Sequence, residues 1–248
     1  SIIIGKSTQT VSFALDTPIN KRVDDGDFTV SAISDTSGKL ASISSNTPTI
    51  CSVNNGTVSI LKAGTCSLAA NQTGDNDYQA APEKVHSISI SKGAQVISFA
   101  AGAPTDKVFG NTGFAVSATG GASGEAVVIT SNTASVCSVA NGTVTINGAG
   151  SCILAANQVG NDNYAAAAEQ THSIAISMAD QAVSFTVNTP TNKVVGDTNF
   201  TVAATGGASG LTVLITSKTA AVCAVSDGTV SVLKATCGLG ITKMCLVI

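Results

Sequence analysis

The stretch 135–146, with the sequence SVCSVANGTVTI, decides the fold of this chain. It holds two short runs rich in β-branched residues, 135–139 and 143–146, with Asn141-Gly142 between them. Asn-Gly is a strong signal for a two-residue hairpin, because both central positions of a type I′ turn require a positive φ. The stretch therefore predicts a β-hairpin with a cysteine in its first strand.

The same pattern recurs along the chain at an interval of 86 residues. Three sets of residues keep this interval: Phe13, Phe99 and Phe185; Lys21, Lys107 and Lys193; Cys51, Cys137 and Cys223. Because an internal repeat outweighs the domain number that length alone would give, the 248 residues divide into two complete units and an incomplete third. The predicted parts are an N-terminal strand at 1–8, domain 1 at 9–94, domain 2 at 95–180 and incomplete domain 3 at 181–248.

Seven short β-rich runs separated by turn residues make up the second repeat. They are 96–99, 114–118, 126–130, 135–139, 143–146, 152–156 and 172–177. Seven short strands with turn signals at such intervals fit an immunoglobulin-like sandwich, and no stretch has the periodicity of a helix. The predicted fold class is all-β: tandem immunoglobulin-like β-sandwiches with a repeat of about 86 residues, the third one incomplete.

Composition limits the possible functions. Charged residues make up 11% of the chain and aromatic residues 4%, with no tryptophan, so we expect a core of Val, Ile, Leu and Ala under a surface of Ser, Thr, Gly and Asn. The formal net charge of −3 offers no basic surface for nucleic acid. The apolar runs are too short to span a membrane. We therefore expect neither nucleic-acid binding nor a membrane span.

One cysteine pair recurs in each repeat. The predicted disulfides are Cys51–Cys66, Cys137–Cys152 and Cys223–Cys237, with spacings of 15, 15 and 14 residues. Disulfides imply an oxidising compartment, and closing such a loop contributes about 3 kcal/mol to stability. The alternative is a pair of buried, reduced thiols. Cys245 is left over: it could bond a neighbouring subunit, compete with Cys237 for Cys223, or stay free.

No pattern in the sequence builds an active site. His86 and His172 stand at equivalent positions of successive repeats, which favours a structural role, and no base recurs beside the many serines and threonines. We therefore expect neither enzymatic activity nor a cofactor. Asp75, Asp77 and Asp162 lie in Asn/Asp-rich loops and could offer oxygen ligands to Ca²⁺, but we favour Asx turns as the role of these loops.

The motifs of the repeat resemble a known family. The second repeat contains, in order, SVCSVANGTV at 135–144, AGSC at 149–152 and AANQVGNDNY at 155–164. These motifs are similar to tandem bacterial Ig-like repeats of large surface proteins and adhesins, and the resemblance extends from residue 9 to about residue 237. It implies an extracellular stalk or fibre and no particular ligand. Unlike antibody-type domains, the chain has no core tryptophan, and its cysteine pair lies elsewhere.

Both ends of the sequence are parts of the repeat. Residues 1–6 are in register with 87–92, where Ile88 and Ile90 are expected to point into the core. After Cys237 only 11 residues remain, so the third repeat lacks the Asn/Asp-rich loop and the seventh strand. A sandwich without its last strand has an unpaired edge, which favours strand addition.

These ends give the first hypothesis for function. Residues 1–6 of one subunit, through Ile2 and Ile4, would complete domain 3 of the next by donor-strand exchange. Leu246 and Ile248 of the apolar C-terminal run are also predicted to take part in assembly. A head-to-tail contact of this kind propagates into an open fibre. The chain would then be a structural subunit of an extracellular, pilus-like bacterial filament, with copies of itself as partners.

Three alternatives stay open. The sequence could be a stalk fragment of a longer tandem Ig-like adhesin at the cell surface. It could be a module that binds a glycan or a host receptor, which would need an exposed aromatic platform or a non-repeating loop; Tyr78 and Tyr164 are its two tyrosines. It could also be a non-catalytic accessory segment of a secreted enzyme.

Overall fold

The computed structural model describes residues 2, 4–186, 190 and 192–243. In this part of the chain all regular secondary structure is β-strand. The chain forms two compact units, Ser1–Ser177 and Met178–Ile248. The first unit contains two sandwiches related by the repeat, and the second contains one. The prediction of an all-β chain of tandem β-sandwiches is confirmed.

The first repeat consists of nine strands. They are β1 (Val11–Phe13), β2 (Asn20–Arg22), β3 (Phe28–Thr29), β4 (Ala32–Ser34), β5 (Ser42–Ser45), β6 (Cys51–Asn54), β7 (Thr57–Ile60), β8 (Gly64–Asn71) and β9 (Lys84–Ser91). They form a four-stranded sheet in the order β2-β9-β8-β5, a three-stranded sheet β3-β7-β6 and the pair β1-β4. Of these pairings, β2 with β9 is parallel and the others are antiparallel.

The second repeat has the same architecture. Its strands are β10 (Ser98–Phe99), β11 (Asp106–Val108), β12 (Phe114–Ala115), β13 (Ala118–Thr119), β14 (Val127–Ser131), β15 (Cys137–Ala140), β16 (Thr143–Ile146), β17 (Gly150–Gln158) and β18 (Gln170–Ser177). The sheets are β11-β18-β17-β14, β12-β16-β15 and the pair β10-β13, and β11 is parallel to β18.

The Asn-Gly turns are formed as the sequence predicts. Asn141 and Gly142 have φ values of 48° and 72° and join β15 to β16, which pair antiparallel. Similar positive φ values recur at Asn55-Gly56 and Asp227-Gly228. Asn and Gly adopt this left-handed region at low cost, whereas a β-branched residue would be strained there.

Each hairpin is bonded to the chain segment that comes after it. The three disulfides are Cys51–Cys66, Cys137–Cys152 and Cys223–Cys237, with Cα–Cα distances of 5.6, 5.6 and 5.5 Å. In the first two repeats the bond joins the three-stranded sheet to the four-stranded sheet, and all four cysteines are fully buried. The disulfide therefore links the two layers through the core.

The last strand of each complete repeat supplies the centre of the core. Along β18, Ile174 and Ile176 are buried while their neighbours are exposed, as the period of two in a strand requires. The two isoleucines pack with Cys137, Val144 and Leu154. In the first repeat Ile88 and Ile90 of β9 occupy the equivalent places.

Two expectations about strands were wrong. The run 114–118 is not one strand: β12 pairs with β16 and β13 pairs with β10, so the chain crosses between sheets at the buried Val116. The loop after Pro104 contains an additional strand, β11, that pairs in parallel with β18. A three-residue strand has no detectable alternation, and tertiary pairing alone creates it.

The second unit has a reduced version of this fold. Its strands among the described residues are β19 (Ser184–Phe185), β20 (Phe200–Thr201), β21 (Ala204–Thr205), β22 (Val213–Ser217), β23 (Cys223–Ser226), β24 (Thr229–Val232) and β25 (Leu239–Lys243). The sheets are β20-β24-β23 and the pairs β22-β25 and β19-β21. Within the described part of this unit, two strands thus represent the four-stranded sheet of the other repeats.

The core of the second unit is accordingly more open. Leu239 corresponds to Leu68 and Leu154, because each pairs with the last serine of the facing strand. Leu68 and Leu154 are fully buried, whereas Leu239 is half-buried, and Cys237 is half-buried as well. Among the described residues no strand like β9 covers them, and these side chains remain partly in contact with solvent.

We predict that the three disulfides are reduced in order of exposure. Thiol–disulfide exchange requires access of a thiolate to sulfur, so dithiothreitol should reduce Cys223–Cys237 first, because Cys237 is half-buried while the four cysteines of the other two disulfides are fully buried. The measurement is a time course of alkylation and mass spectrometry on a Cys245→Ser variant. In urea the three bonds should react at similar rates, and equal rates under native conditions would contradict the prediction.

Candidate functional site

Repeat 2 is attached to the end of repeat 1 by residues 160–165, which we call the junction loop. Gly93, two residues beyond β9, donates its amide hydrogen to the carbonyl oxygen of Asn163 (2.9 Å). The carbonyl oxygen of Gly93 accepts a hydrogen bond from the amide of Ala165 (3.0 Å). Gly93 and Tyr164 form a parallel β-bridge, so the chain leaving repeat 1 lies as a short extra strand along the junction loop.

The linker between the repeats, residues 92–97, is packed into this junction. Gly93, Gln95 and Ile97 are buried, and the residues between them are exposed. This alternation is that of a half-buried strand. A linker with every second residue buried lacks the freedom of a polar, flexible tether.

The side chain of Gln95 holds the base of the junction loop. It is 8% exposed. Its Nε2 donates to the carbonyl oxygens of Val159 (3.1 Å) and Ala165 (2.8 Å), and its Oε1 accepts from the amide of Ser123 (2.9 Å). Sequence reasoning missed this residue, although the equivalent Gln9 is also buried and shows that the position recurs.

Three further contacts join the junction loop to repeat 1. They are Lys92 Nζ to the Asn161 carbonyl oxygen (2.6 Å), Lys62 Nζ to the Asp162 carboxylate (2.7 Å) and the Ala63 amide to Asn163 Oδ1 (3.2 Å). The hydrogen bond from Lys62 and its positive charge lower the pKa of Asp162. Because Asp162 is highly exposed, this ion pair orients the repeats and adds little stability.

The junction loop is shaped by its own hydrogen bonds. Asn161 Oδ1 accepts hydrogen bonds from the amides of Asn163 (2.8 Å) and Tyr164 (2.9 Å), which is an Asx turn. Asn161 Nδ2 donates to the carbonyl oxygen of Ser123 (3.0 Å) within the same repeat. The predicted role of the Asn/Asp-rich loop in turn formation is therefore seen directly.

The absence of a side chain at Gly93 makes room for Tyr164. A Cβ atom placed on Gly93 would lie 2.8 Å from Cε1 of the Tyr164 ring, which is closer than carbon atoms approach. The same position lies near the carboxyl carbon of Asp24 in repeat 1. Tyr164 is half-buried at this junction.

Repeat 1 has an equivalent loop, residues 75–78, with the same shape. Asp75 Oδ1 accepts from the amides of Asp77 (2.8 Å) and Tyr78 (2.9 Å). Ser7, the counterpart of Gly93, donates to the Asp77 carbonyl oxygen (2.8 Å). The N-terminal segment therefore lies on this loop as the linker lies on the junction loop.

Asp75 also forms an ion pair with Lys39. The Lys39 ammonium and the amides of Asp77 and Tyr78 lower the pKa of Asp75 to about 2. The same contact raises the pKa of Lys39.

The three aspartates considered for Ca²⁺ are not brought together. Asp75 and Asp77 belong to the loop of repeat 1, whereas Asp162 belongs to the junction loop of repeat 2. Asp75 already accepts from two amides and Lys39, and Asp162 pairs with Lys62. Among the residues that the structure describes, no three His, Cys, Asp or Glu side chains are grouped so that they could hold a metal ion.

The two histidines connect strand and loop in equivalent ways. His86 Nε2 lies 2.9 Å from the carbonyl oxygen of Pro18, and its ring packs on Phe13. His172 makes the same contacts with Pro104 and Phe99. Each histidine tethers the last strand of its repeat to the loop that precedes β2 or β11.

The second unit has an open cavity where the other repeats have their last strand. Its volume is about 440 Å³, and its apolar lining includes Phe200, Val232, Cys237 and Leu239. Lys193 and Lys234 also line it. In the first two repeats the isoleucines of β9 and β18 pack in the corresponding part of the core.

The residues predicted to take part in assembly are only partly described. Ile2 and Ile4 are each 90% exposed. Leu246, Ile248 and the left-over Cys245 lie outside the described residues. The assembly role of these residues stays a prediction.

No family model and no curated protein matches the sequence. Three solved structures with tandem domains are similar to the chain. They are domains A168–A170 of titin (TM-score 0.34, 9% identity, 84% of this chain and 80% of that chain), the human desmocollin-1 ectodomain (0.31, 13%, 88% and 52%) and Drosophila N-cadherin EC1-4 (0.30, 13%, 91% and 67%). The chain thus spans about half of the desmocollin-1 structure. Similarity at this level does not inform function.

In the part of the chain that the structure describes, no helix is long and apolar enough to cross a bilayer.

We predict that Lys39→Gln raises the pKa of Asp75 from about 2 toward its ordinary value of 3.8. The Lys39 contact favours the ionised carboxylate of Asp75. Its stabilising effect is therefore fully present above the ordinary pKa of 3.8 and is lost as the pH falls through about 2. The measurement is an NMR titration of the carboxyl carbons. Asp35, whose pKa is also lowered to about 2 but by hydrogen bonds with Thr10, serves as the control and should not change.

Proposed function

We propose that the chain is a structural spacer, a stalk of tandem Ig-like domains in an extracellular surface protein of the adhesin type. The observation that carries this proposal is the junction between repeats 1 and 2. Backbone hydrogen bonds at Gly93, the buried Gln95 and the contact of Tyr164 fix one sandwich against the next. A stalk must transmit position and force between its ends, and a packed junction serves that purpose.

The disulfides support an extracellular location. In the first two repeats each bond joins the two layers of its sandwich, and such bonds persist mainly in oxidising compartments. A bond between residues 15 apart also limits how far a repeat can extend once it is pulled open. A bacterial cell surface agrees with the motif resemblance of the repeats.

The proposal assigns no catalytic activity to these residues. His86 and His172 are engaged in contacts with proline carbonyl groups and phenylalanine rings. Asp75 and Asp162, whose pKa values are lowered, are occupied by loop amides and lysines. These groups have structural roles that explain their presence.

We predict that Gly93→Val uncouples repeats 1 and 2. A side chain at this position collides with the Tyr164 ring, so the junction loop must move away while both cores stay intact. The measurement is residual dipolar coupling by NMR on the full chain. In the unaltered protein, repeats 1 and 2 should share one alignment tensor; in the variant the two tensors should differ.

The matched control is Ser7→Val, at the equivalent position of repeat 1. It places the same side chain on the N-terminal segment and leaves the junction untouched, so the two tensors should stay equal. Different tensors in the unaltered protein would refute a rigid stalk.

We also propose, as a second candidate, that the chain assembles head to tail into a filament by strand donation. The open cavity of the second unit favours it, because the strand that covers the equivalent place in repeat 1 carries two alternating isoleucines. Ile2 and Ile4 have this spacing and are exposed. A strand added to an unpaired edge would gain backbone hydrogen bonds as well as apolar burial.

We predict that deletion of residues 1–6 abolishes filaments seen by negative-stain electron microscopy. A peptide with the β9 sequence, residues 84–91, should also block assembly by filling the cavity, and a scrambled peptide should not. Short, uniform particles both with and without residues 1–6 would rule out strand donation and leave the stalk proposal in place.

A further inference from the structure

A lysine recurs at the end of the hairpin in two of the three repeats. Lys62 and Lys234 are equivalent, and each is followed by an alanine, Ala63 or Ala235. The second repeat has Gly148 at this place. The hairpin forms in all three repeats and therefore does not require the lysine.

In repeat 1 this lysine meets the Asn/Asp-rich junction loop of repeat 2. Lys62 and Ala63 contact Asp162 and Asn163 of the junction loop.

Lys234 has no such partner within the described residues. It is exposed and lines the open cavity. In the described part of the chain, its ammonium group takes part in no ion pair. The lysine and alanine that meet the junction loop at positions 62 and 63 are therefore repeated at 234 and 235, where they remain accessible.

Repeat 1 has a matching loop, in which Asn76 and Asp77 are exposed. Residues 75–78 keep the Asx turn of the junction loop. Asp77 corresponds to Asn163, whose Oδ1 accepts from the Ala63 amide, and Asp77 is exposed whereas Asn163 is half-buried. The carboxylate of Asp77 is a stronger acceptor than an amide and is opposite in charge to Lys234.

We infer that Lys234 and Ala235 form a docking site for the loop 75–78 of a second copy of the chain. Asp77 accepts a hydrogen bond from the Ala235 amide and pairs with Lys234, and the two molecules meet as repeats 1 and 2 meet at their junction. The inference rests on the head-to-tail association proposed above, but it uses different residues from strand donation.

Strand donation and the docking of loop 75–78 are compatible, because they involve adjacent parts of the same molecule. In the junction, β9 leads directly through Lys92 into Gly93, so strand and loop contacts share one segment. Residues 1–6 and Ser7 have the same order, with Lys6 and Ser7 already on the loop. If residues 1–6 of one molecule filled the cavity of a second molecule, loop 75–78 of the first would lie against Lys234 of the second.

Charge reversal with rescue tests this docking. Sedimentation velocity of the full chain, over a range of concentrations at low salt, gives the association constant. Lys234→Glu and Asp77→Lys should each lower it by about fivefold or more, because a like-charge contact replaces an attractive one, and the double variant should restore it to within about twofold. Salt should weaken the unaltered contact.

The control is Lys84→Glu, the same charge change at an exposed position of β9, which should leave association unchanged. NMR spectra of each variant verify folding. The docking site is refuted if neither Lys234→Glu nor Asp77→Lys lowers the association constant. It is also refuted if the double variant does not restore the constant.

A deletion separates this inference from strand donation. If the chain without residues 1–6 still associates weakly and remains sensitive to Lys234→Glu, the docking site stands without strand donation. If the deletion abolishes association while Lys234→Glu has no effect on the full chain, strand donation stands and the docking site is refuted. A chain that stays monomeric throughout refutes both and leaves the stalk proposal unaffected.

Discussion

The pairing of the last strand in each complete repeat is the contact on which the rest of the structure depends. Strand β9 is hydrogen-bonded on both sides, to β8 and to β2, and places Ile88 and Ile90 at the centre of the core. Its end continues into the linker that docks on the next repeat. Strand β9 therefore completes the core of repeat 1 and, through the linker, positions repeat 2. Formation of the core is thereby coupled to the arrangement of neighbouring repeats.

The described part of the second unit has no strand equivalent to β9, and its core differs accordingly. Its disulfide and its Asp-Gly turn are present, so the hairpin does not require a strand like β9. Leu239 and Cys237 are nevertheless half-buried, and an open cavity lies between them and the segment that holds Pro190 and Val194. The hairpin and the disulfide establish one layer, but only a strand paired on both sides completes the other.

Polar residues organise the junction between repeats 1 and 2 in place of a large apolar interface. Asn161 shapes the loop, Gln95 anchors its base, and backbone groups of Gly93 join it to the preceding repeat. Inter-domain contacts are commonly polar, and a few buried, directional hydrogen bonds define an orientation better than a non-directional apolar contact does. The exposed ion pair of Lys62 and Asp162 then contributes mainly to the specificity of the contact between the two repeats.

The sequence alone determined the repeat, the all-β class, the type of hairpin turn and the spacing of the cysteines, because each is a local or periodic property of the chain. Tertiary structure decided the split of residues 114–118 between two sheets, the strand β11 and the junction contacts. These features depend on pairings between distant residues: Ala63 and Asn163 are 100 positions apart. No local pattern marks Gly93 or Lys62 as a contact residue, since the partner that gives each its role is brought close only when two sandwiches have formed.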